Sequence, residues 1–193
     1  MKIVLTLLAF AITSQSIFEN SFKEGYYYTK EDIKVKGLIR FRRATFSIFD
    51  NTQSNILFKE NDDSKSIKLT TNDISSFVIG TDSFAVVYDI KINSIEGEYE
   101  KDFAEVIVTG KMNLYVHLSA SYDGRSSYDN DRYVLSKDNK SYIGIWDFKK
   151  QRDEIAELFS DNADIKAKIL TITSKEFYKH FPELVKEYNS KSN

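Results

Sequence analysis

Hydrophobic positions alternate with polar ones over much of the stretch from Phe22 to Phe148. Val35, Gly37, Ile39 and Phe41 fall on one side of such a pattern and Lys34, Lys36, Arg40 and Arg42 on the other. Met112, Leu114, Val116 and Leu118 alternate in the same way with Asn113, Tyr115, His117 and Ser119. A period of two predicts strands buried on one face. Further strands are predicted at 25–29, 44–49, 56–59, 66–70, 77–79, 84–92, 103–109, 132–136 and 142–147. Short polar breaks at 30–32, 51–53, 60–64, 110–111 and 138–139 read as turns, and 71–73 as a longer corner. The stretch 119–130, SASYDGRSSYDN, reads as a mobile loop. Ten or eleven short strands in sequence predict an antiparallel meander, forming a rolled sheet, a sandwich or a barrel-like domain.

After Lys149 the period lengthens. Ile155, Leu158 and Phe159 fit one helix face, and Ile165, Ile169 and Leu170 a second. Asp161 or Asn162 is placed to cap that second helix. Thr173 and Glu176 form a capping box ahead of a stripe of Phe177, Phe181, Leu184, Val185 and Tyr188. Pro182 lies inside this last segment and is expected to kink or split it. With no linker in between, the helices are expected to pack on the strands. The fold class expected is therefore mainly β (α+β), with a β domain over 17–149 and a helical segment over 150–193.

Residues 1–16, MKIVLTLLAFAITSQS, have another character. Lys2 precedes an uncharged, mostly apolar run, Ile3–Ile12, and Ser14 and Ser16 supply small residues before Ile17. This is the layout of a secretory signal peptide. The run is shorter than the ~20 residues a membrane-crossing helix needs. The expectation is an exported protein, periplasmic, outer-membrane-associated or secreted, with no transmembrane segment after the signal.

Composition narrows the chemistry. The 193 residues carry 27 Lys and Arg against 29 Asp and Glu, a net charge of −2. That balance speaks against a nucleic-acid partner. The chain has no Cys and two His. Disulfides, thiolate metal sites and cysteine nucleophiles are excluded. No cofactor motif is present, and neither His117 nor His180 has a neighbouring ligand to make a metal pair.

Asp102–Tyr115 (DFAEVIVTGKMNLY), the earlier Thr70–Phe77 (TTNDISSF) and the ending Leu184–Asn189 (LVKEYN) together resemble a group of uncharacterised small exported proteins of Bacteroidetes-type bacteria. The resemblance implies export and a place in the cell envelope. It carries no activity and no catalytic residue.

Four constellations are candidates for function. Lys34, Lys36, Arg40 and Arg42, with Arg43, form a basic stripe suited to an acidic glycan or a lipid headgroup; charges offset by acids on a neighbouring strand are the plainer explanation. Tyr122, Asp123 and Tyr128 make the 119–130 stretch a contact surface for a protein or glycan. Asp123, Asp129, Asn130 and Asp131 there have carboxylate density suited to Ca²⁺, but not the spacing of an EF-hand, so a solvated loop is the simpler reading. Glu96, Glu98, Glu100 and Asp102 alternate at a hairpin tip, where Glu98 and Asp102 are the one pair available for carboxylate hydrolysis. Tyr26–Tyr28 place at least one ring on each face of their strand and read as core packing plus an exposed tyrosine, and Trp146 reads as core at the β–helix junction. The function expected is a non-enzymatic binding or structural module for an envelope protein or glycan. The alternative is a carrier of a small apolar ligand inside a barrel, and after it a carboxylate-dependent hydrolase.

Overall fold

The computed structural model describes residues 21–47, 51–93, 97–122 and 127–191. The signal-like segment, Glu96 and Asp123 lie outside these, as do the side chains of Glu98, Tyr122 and Tyr128. The strands are β1 (Lys23–Thr29), β2 (Lys34–Arg42), β3 (Ala44–Ser47), β4 (Asn51–Thr52), β5 (Asn55–Lys59), β6 (Ile67–Leu69), β7 (Ile74–Ile79), β8 (Asp82–Asn93), β9 (Gly97–Val108), β10 (Asn113–His117), β11 (Ser119–Tyr122), β12 (Ser127–Asp129), β13 (Arg132–Ser136) and β14 (Ile143–Ile145). Three helices follow, α1 (Phe148–Glu157), α2 (Ala163–Thr171) and α3 (Ser174–Ser190).

Ten strands form one antiparallel sheet in the order β14-β13-β10-β9-β8-β7-β1-β2-β5-β6. A second, four-stranded sheet runs β12-β11-β3-β4, with β11 parallel to β3. The large sheet is open, yet it rolls at one end until β14 lies against β8. The rolled, barrel-like expectation holds in this loose sense.

Alternation along β2 is as the pattern required. Ile39 and Phe41 are buried, while Lys34, Lys36 and Arg42 are exposed. The inward face gathers an aromatic cluster. Phe77 stacks on Phe84 at 4.5 Å and meets Phe103 edge-on at 5.1 Å, and Phe41 lies 4.9 Å from Phe84. Gly37 lies against this cluster. A Cβ there would come within 2.5 Å of the Phe58 ring, so a larger residue would push the two strands apart. Gly80 turns the chain between β7 and β8 at φ +59°, which glycine adopts without steric cost.

The helices cover the β9-β10-β13-β14 end of the same face. Asp147 caps α1, Asn162 caps α2, and Thr173 with Glu176 closes the capping box of α3. Phe148, Phe177 and Phe181 pack ring on ring, at 3.8 and 4.1 Å, above Leu114, Leu135 and Ile145. Lys111 and Gly110 meet Asp161, Tyr188 and Asn189: Asn189 Oδ1 accepts from the Met112 amide at 2.8 Å, and its Nδ2 donates to the Met112 carbonyl at 2.9 Å. The Gly-Lys and Glu-Tyr-Asn pieces quoted above thus pack against each other.

Several local expectations are corrected. Residues 119–122 and 127–129 form a hairpin, β11–β12, added to β3, where a loop was expected. Its buried Ser119 donates to the Asn130 carbonyl and its buried Ser121 accepts from the Asn130 side chain, so serines fill buried positions and hide the strand from a hydrophobic pattern. β10 is buried on both faces, because the small sheet and the rolled end cover the face that bears Tyr115 and His117. Asp102 is wholly buried and not part of a solvated tip. Trp146 is half-buried, with Lys150 over its ring, and Phe148 takes the junction position. Leu170 is exposed, since Ile165 and Ile169 alone fill the α2 contact.

α3 runs unbroken through Pro182. Proline has no N–H for the Tyr178 carbonyl one turn back. The Tyr133 hydroxyl, from β13, donates to that carbonyl at 3.3 Å.

Candidate functional site

Two polar regions stand out, one buried at its centre with Asp129 and Asp131 at its exposed edge, and one open. The buried one lies where the chain passes between the two sheets. At the β2–β3 passage Arg43 pairs with Asp129 and reaches Asp131 at 3.9 Å. Asp131 Oδ1 also accepts from the Ser119 amide at 3.1 Å. At the β4–β5 passage Ser54 donates to Asp102 of β9 through its hydroxyl and through its amide at 3.1 Å. Asp102 accepts the Phe103 amide at 2.8 Å, and His117 Nε2 lies 2.9 Å from its other oxygen.

Ser54, Asp102 and His117 are therefore three chemistry-bearing residues in contact. Their order is Ser–Asp–His. In a nucleophilic triad the imidazole touches the serine and the carboxylate stands behind it. Here the carboxylate is in the middle and takes the serine proton's hydrogen bond itself. All three are wholly buried. The arrangement acts as a clasp that holds the β4–β5 passage against β9 and β10. His117 Nδ1 is buried with no hydrogen-bond partner among the described residues.

Burial also acts on the carboxylates around Arg43. Desolvation pushes the pKa of Asp131 up, against the pull of Arg43. Desolvation likewise raises Glu105, reinforced by Asp82 and Asp131. Asp129 and Asp131 spend themselves on a guanidinium and not on a cation site. Among the described residues no group of three or more His, Cys, Asp or Glu gathers to hold a metal ion.

The open region is the outward face of β1 and β2. Antiparallel pairing sets Tyr26 beside Lys36 and Tyr28 beside Lys34. Lys34 Nζ sits 3.5 Å above the centroid of the Tyr26 ring, and the two tyrosines meet edge to face at 5.8 Å. An open groove of about 660 Å³ runs over this face. Its walls include Tyr26, Lys34, Lys36 and Leu38, with Glu24 and the Glu60–Asp62 turn as a polar rim. Farther along, Arg40 lies 5.0 Å from the Phe22 ring. Arg42 is exposed, and among the described residues neither it nor Lys36 has an ion-pair partner.

Among the described residues no direct ion pair joins an acid to Lys36 or Arg42, while Glu24 of the neighbouring strand, Glu60 and Asp62 share the groove with Lys36. Strand pairing puts tyrosine opposite Lys36 and asparagine opposite Arg42. Of the second candidate surface, Tyr128 pairs with Ser121 and Tyr122 with Ser127 in the small sheet, whose Asp129 pairs with Arg43 at the end of the basic stripe. Reasoning from the pattern missed Ser54 altogether. Nothing near it in the chain marks it, since its partners are 48 and more residues away.

No protein-family model, no curated protein and no solved structure matches this chain.

Proposed function

We propose that this protein is an exported binding module that holds a glycan on the outward face of β1 and β2. The observation that carries this reading is the groove there. It sets the Tyr26 ring, two lysines and a rim of carboxylate and amide groups around one open surface. A sugar ring presents apolar C–H faces and polar hydroxyls together. Aromatic rings take the first, and fixed donors and acceptors take the second. Lys34, already seated on Tyr26, holds that ring in place.

The interior supports the same choice. The cluster around Phe77, Phe84 and Phe103 and the one around Tyr115 and Val134 fill both faces of the rolled sheet. A ligand is better accommodated on the open face than within. The clasp at Ser54, Asp102 and His117 serves this function by fixing the frame on which the face lies.

The test is binding of the purified protein to an array of bacterial and host glycans, repeated with Tyr26→Ala and Lys36→Ala. A selective glycan signal that weakens at least about tenfold in each variant, roughly 1.4 kcal/mol, is the expected result. Variants that bind as the parent does would remove the face from consideration. No signal on any glycan would overturn the reading.

A further inference from the structure

The outward face of β2 ends in a second groove, of about 430 Å³, different in character from the first. Arg42, Arg43 and Lys68 line it, with Asn55, Thr45 and Thr52, and no carboxylate is among its described walls. The first groove mixes lysines with Glu24, Glu60 and Asp62. Strand pairing explains the gathering. Arg42 lies opposite Asn55, and Lys68 lies opposite Leu57, which in turn faces Arg40, so three strands bring their polar side chains to one patch. Asn55 is buried there, and its Oδ1 has no hydrogen-bond partner among the described residues. Arg43 is held by Asp129 and Asp131, whereas Arg42 and Lys68 are exposed and have no acid beside them among the described residues.

Lys36 and Arg42 are six residues apart on one strand, a span of about 20 Å. A monosaccharide cannot touch both grooves, but an oligosaccharide lying along β2 can. We propose that the second groove is an acid subsite. In it Arg42 and Lys68 take the oxyanion of a charged sugar residue, carboxylated or sulfated, in a glycan whose neutral part occupies the first groove. Arginine suits this task, because its planar fork matches a two-oxygen anion. The groove's remaining polar groups are Thr and Asn side chains, which suit sugar hydroxyls. This inference rests on the glycan reading of the β1–β2 face and adds the charge and the polarity of the ligand.

The experiment compares matched oligosaccharides by calorimetry at fixed salt: oligogalacturonate against its neutral galactose counterpart, and dextran sulfate against dextran. The proteins are the parent, an Arg42→Gln/Lys68→Gln double variant and Lys36→Gln. The parent is expected to bind one charged oligomer at least tenfold more tightly than its neutral match, the preferred pair telling carboxylate from sulfate. The double variant is expected to lose that preference and keep the neutral affinity, while Lys36→Gln weakens both. Parent binding of neutral oligomers with no gain from charge would overturn the acid subsite and leave the β1–β2 reading standing. A preference that survives in the double variant would do the same. No binding of any oligomer would overturn both. A single-stranded oligonucleotide of equal charge that competes as well as the charged glycan would also overturn the subsite, reducing it to a general polyanion surface. Both altered side chains are exposed, and an unchanged melting curve checks that the double variant is folded.

Discussion

The large sheet is covered twice near β9 and β10, by helices on one face and by the small sheet on the other, and the two covers are built from opposite materials. Under the helices the contact is ring on ring: Phe148, Phe177, Phe181 and Tyr188 over Leu114, Leu135 and Ile145. Its charges stay outside. Asp161 binds Lys111, Lys137 and Tyr188 at the rim, and Glu187 binds Lys168 and Lys191. Under the small sheet the contact is polar and buried, with Ser54, Asp102, His117, Ser119, Ser121 and Asn130 in the seam and Asp131 at its exposed edge. Apolar contacts tolerate any partner of the right shape. Polar ones demand particular partners, because an unpaired buried group costs more than a paired one gains. The helical cover supplies cohesion, and the seam supplies register, fixing where the chain passes from β2 to β3 and from β10 to β11 and hence where Arg42 and Arg43 point.

The largest expected effect falls on the helical side. Phe181→Ala removes a ring that touches Phe177 and Tyr133 and should cost about 3–5 kcal/mol in urea unfolding. Asp102→Asn is nearly isosteric and leaves no cavity. It replaces a carboxylate that accepts from Ser54, Phe103 and His117, and should cost about 1.5–3 kcal/mol. Their sites differ more in kind than in size. The Asn variant should also loosen hydrogen exchange in β4, β5 and β11, whereas the Ala variant should loosen α1 to α3. Equal loosening everywhere in both would show that the two covers are one cooperative unit.

The same contrast explains what was legible in the chain. The helical end was readable because its information is local. Thr173 and Glu176 are three residues apart, and Phe177, Phe181, Leu184, Val185 and Tyr188 recur at helical spacing. Turns at 30–32, 60–64, 110–111 and 138–139 were legible for the same reason, each a short polar break. The seam was not. Ser54 and Asp102 are ordinary polar residues until the fold brings β4–β5 over β9, and the Ser119–Asn130 strands carry serine where a pattern looks for apolar side chains. Of the candidate site, the basic side of β2 was visible as alternation. Its pairing with Tyr26, Tyr28 and Asn55 depended on strand order, which alternation does not encode.

Acid should separate the two covers next. Backbone amides of Ser141 and Lys140 hold Asp138 down to about 2, Lys111 holds Asp161 well below the usual carboxylate range, and Lys168 and Lys191 lower Glu187. A carboxylate lowered on folding adds stability above its unfolded value, and that stability is lost as pH falls toward the folded value. Asp131 and Glu105, raised by burial, act in reverse. Their contribution is fullest below the ordinary carboxylate value and is lost as pH rises through the raised one, so protonating them on acidification favours the fold. Urea titrations from pH 7 to 3 should show a shallower acid loss in Asp161→Asn and a steeper one in Asp131→Asn. Identical slopes in the two variants would mean that seam and rim do not differ electrostatically.

The smallest effect probes the place where a polar contact enters the helical cover. Pro182 leaves the Tyr178 carbonyl without its helical donor, and the Tyr133 hydroxyl fills the vacancy at 3.3 Å. Tyr133 also stacks near-parallel on Tyr178, at 6.3 Å, so its ring stays in place when only the hydroxyl is removed. Tyr133→Phe should therefore cost about 0.5–1.5 kcal/mol, the worth of one hydrogen bond. Pro182→Ala restores an N–H to the helix, and the same carbonyl then has a backbone donor. In that background Tyr133→Phe should cost measurably less. A double-mutant cycle reads the difference directly. An unchanged cost in the alanine background would place the value of the hydroxyl elsewhere than on the carbonyl that proline exposes, and the helical cover would then be apolar throughout.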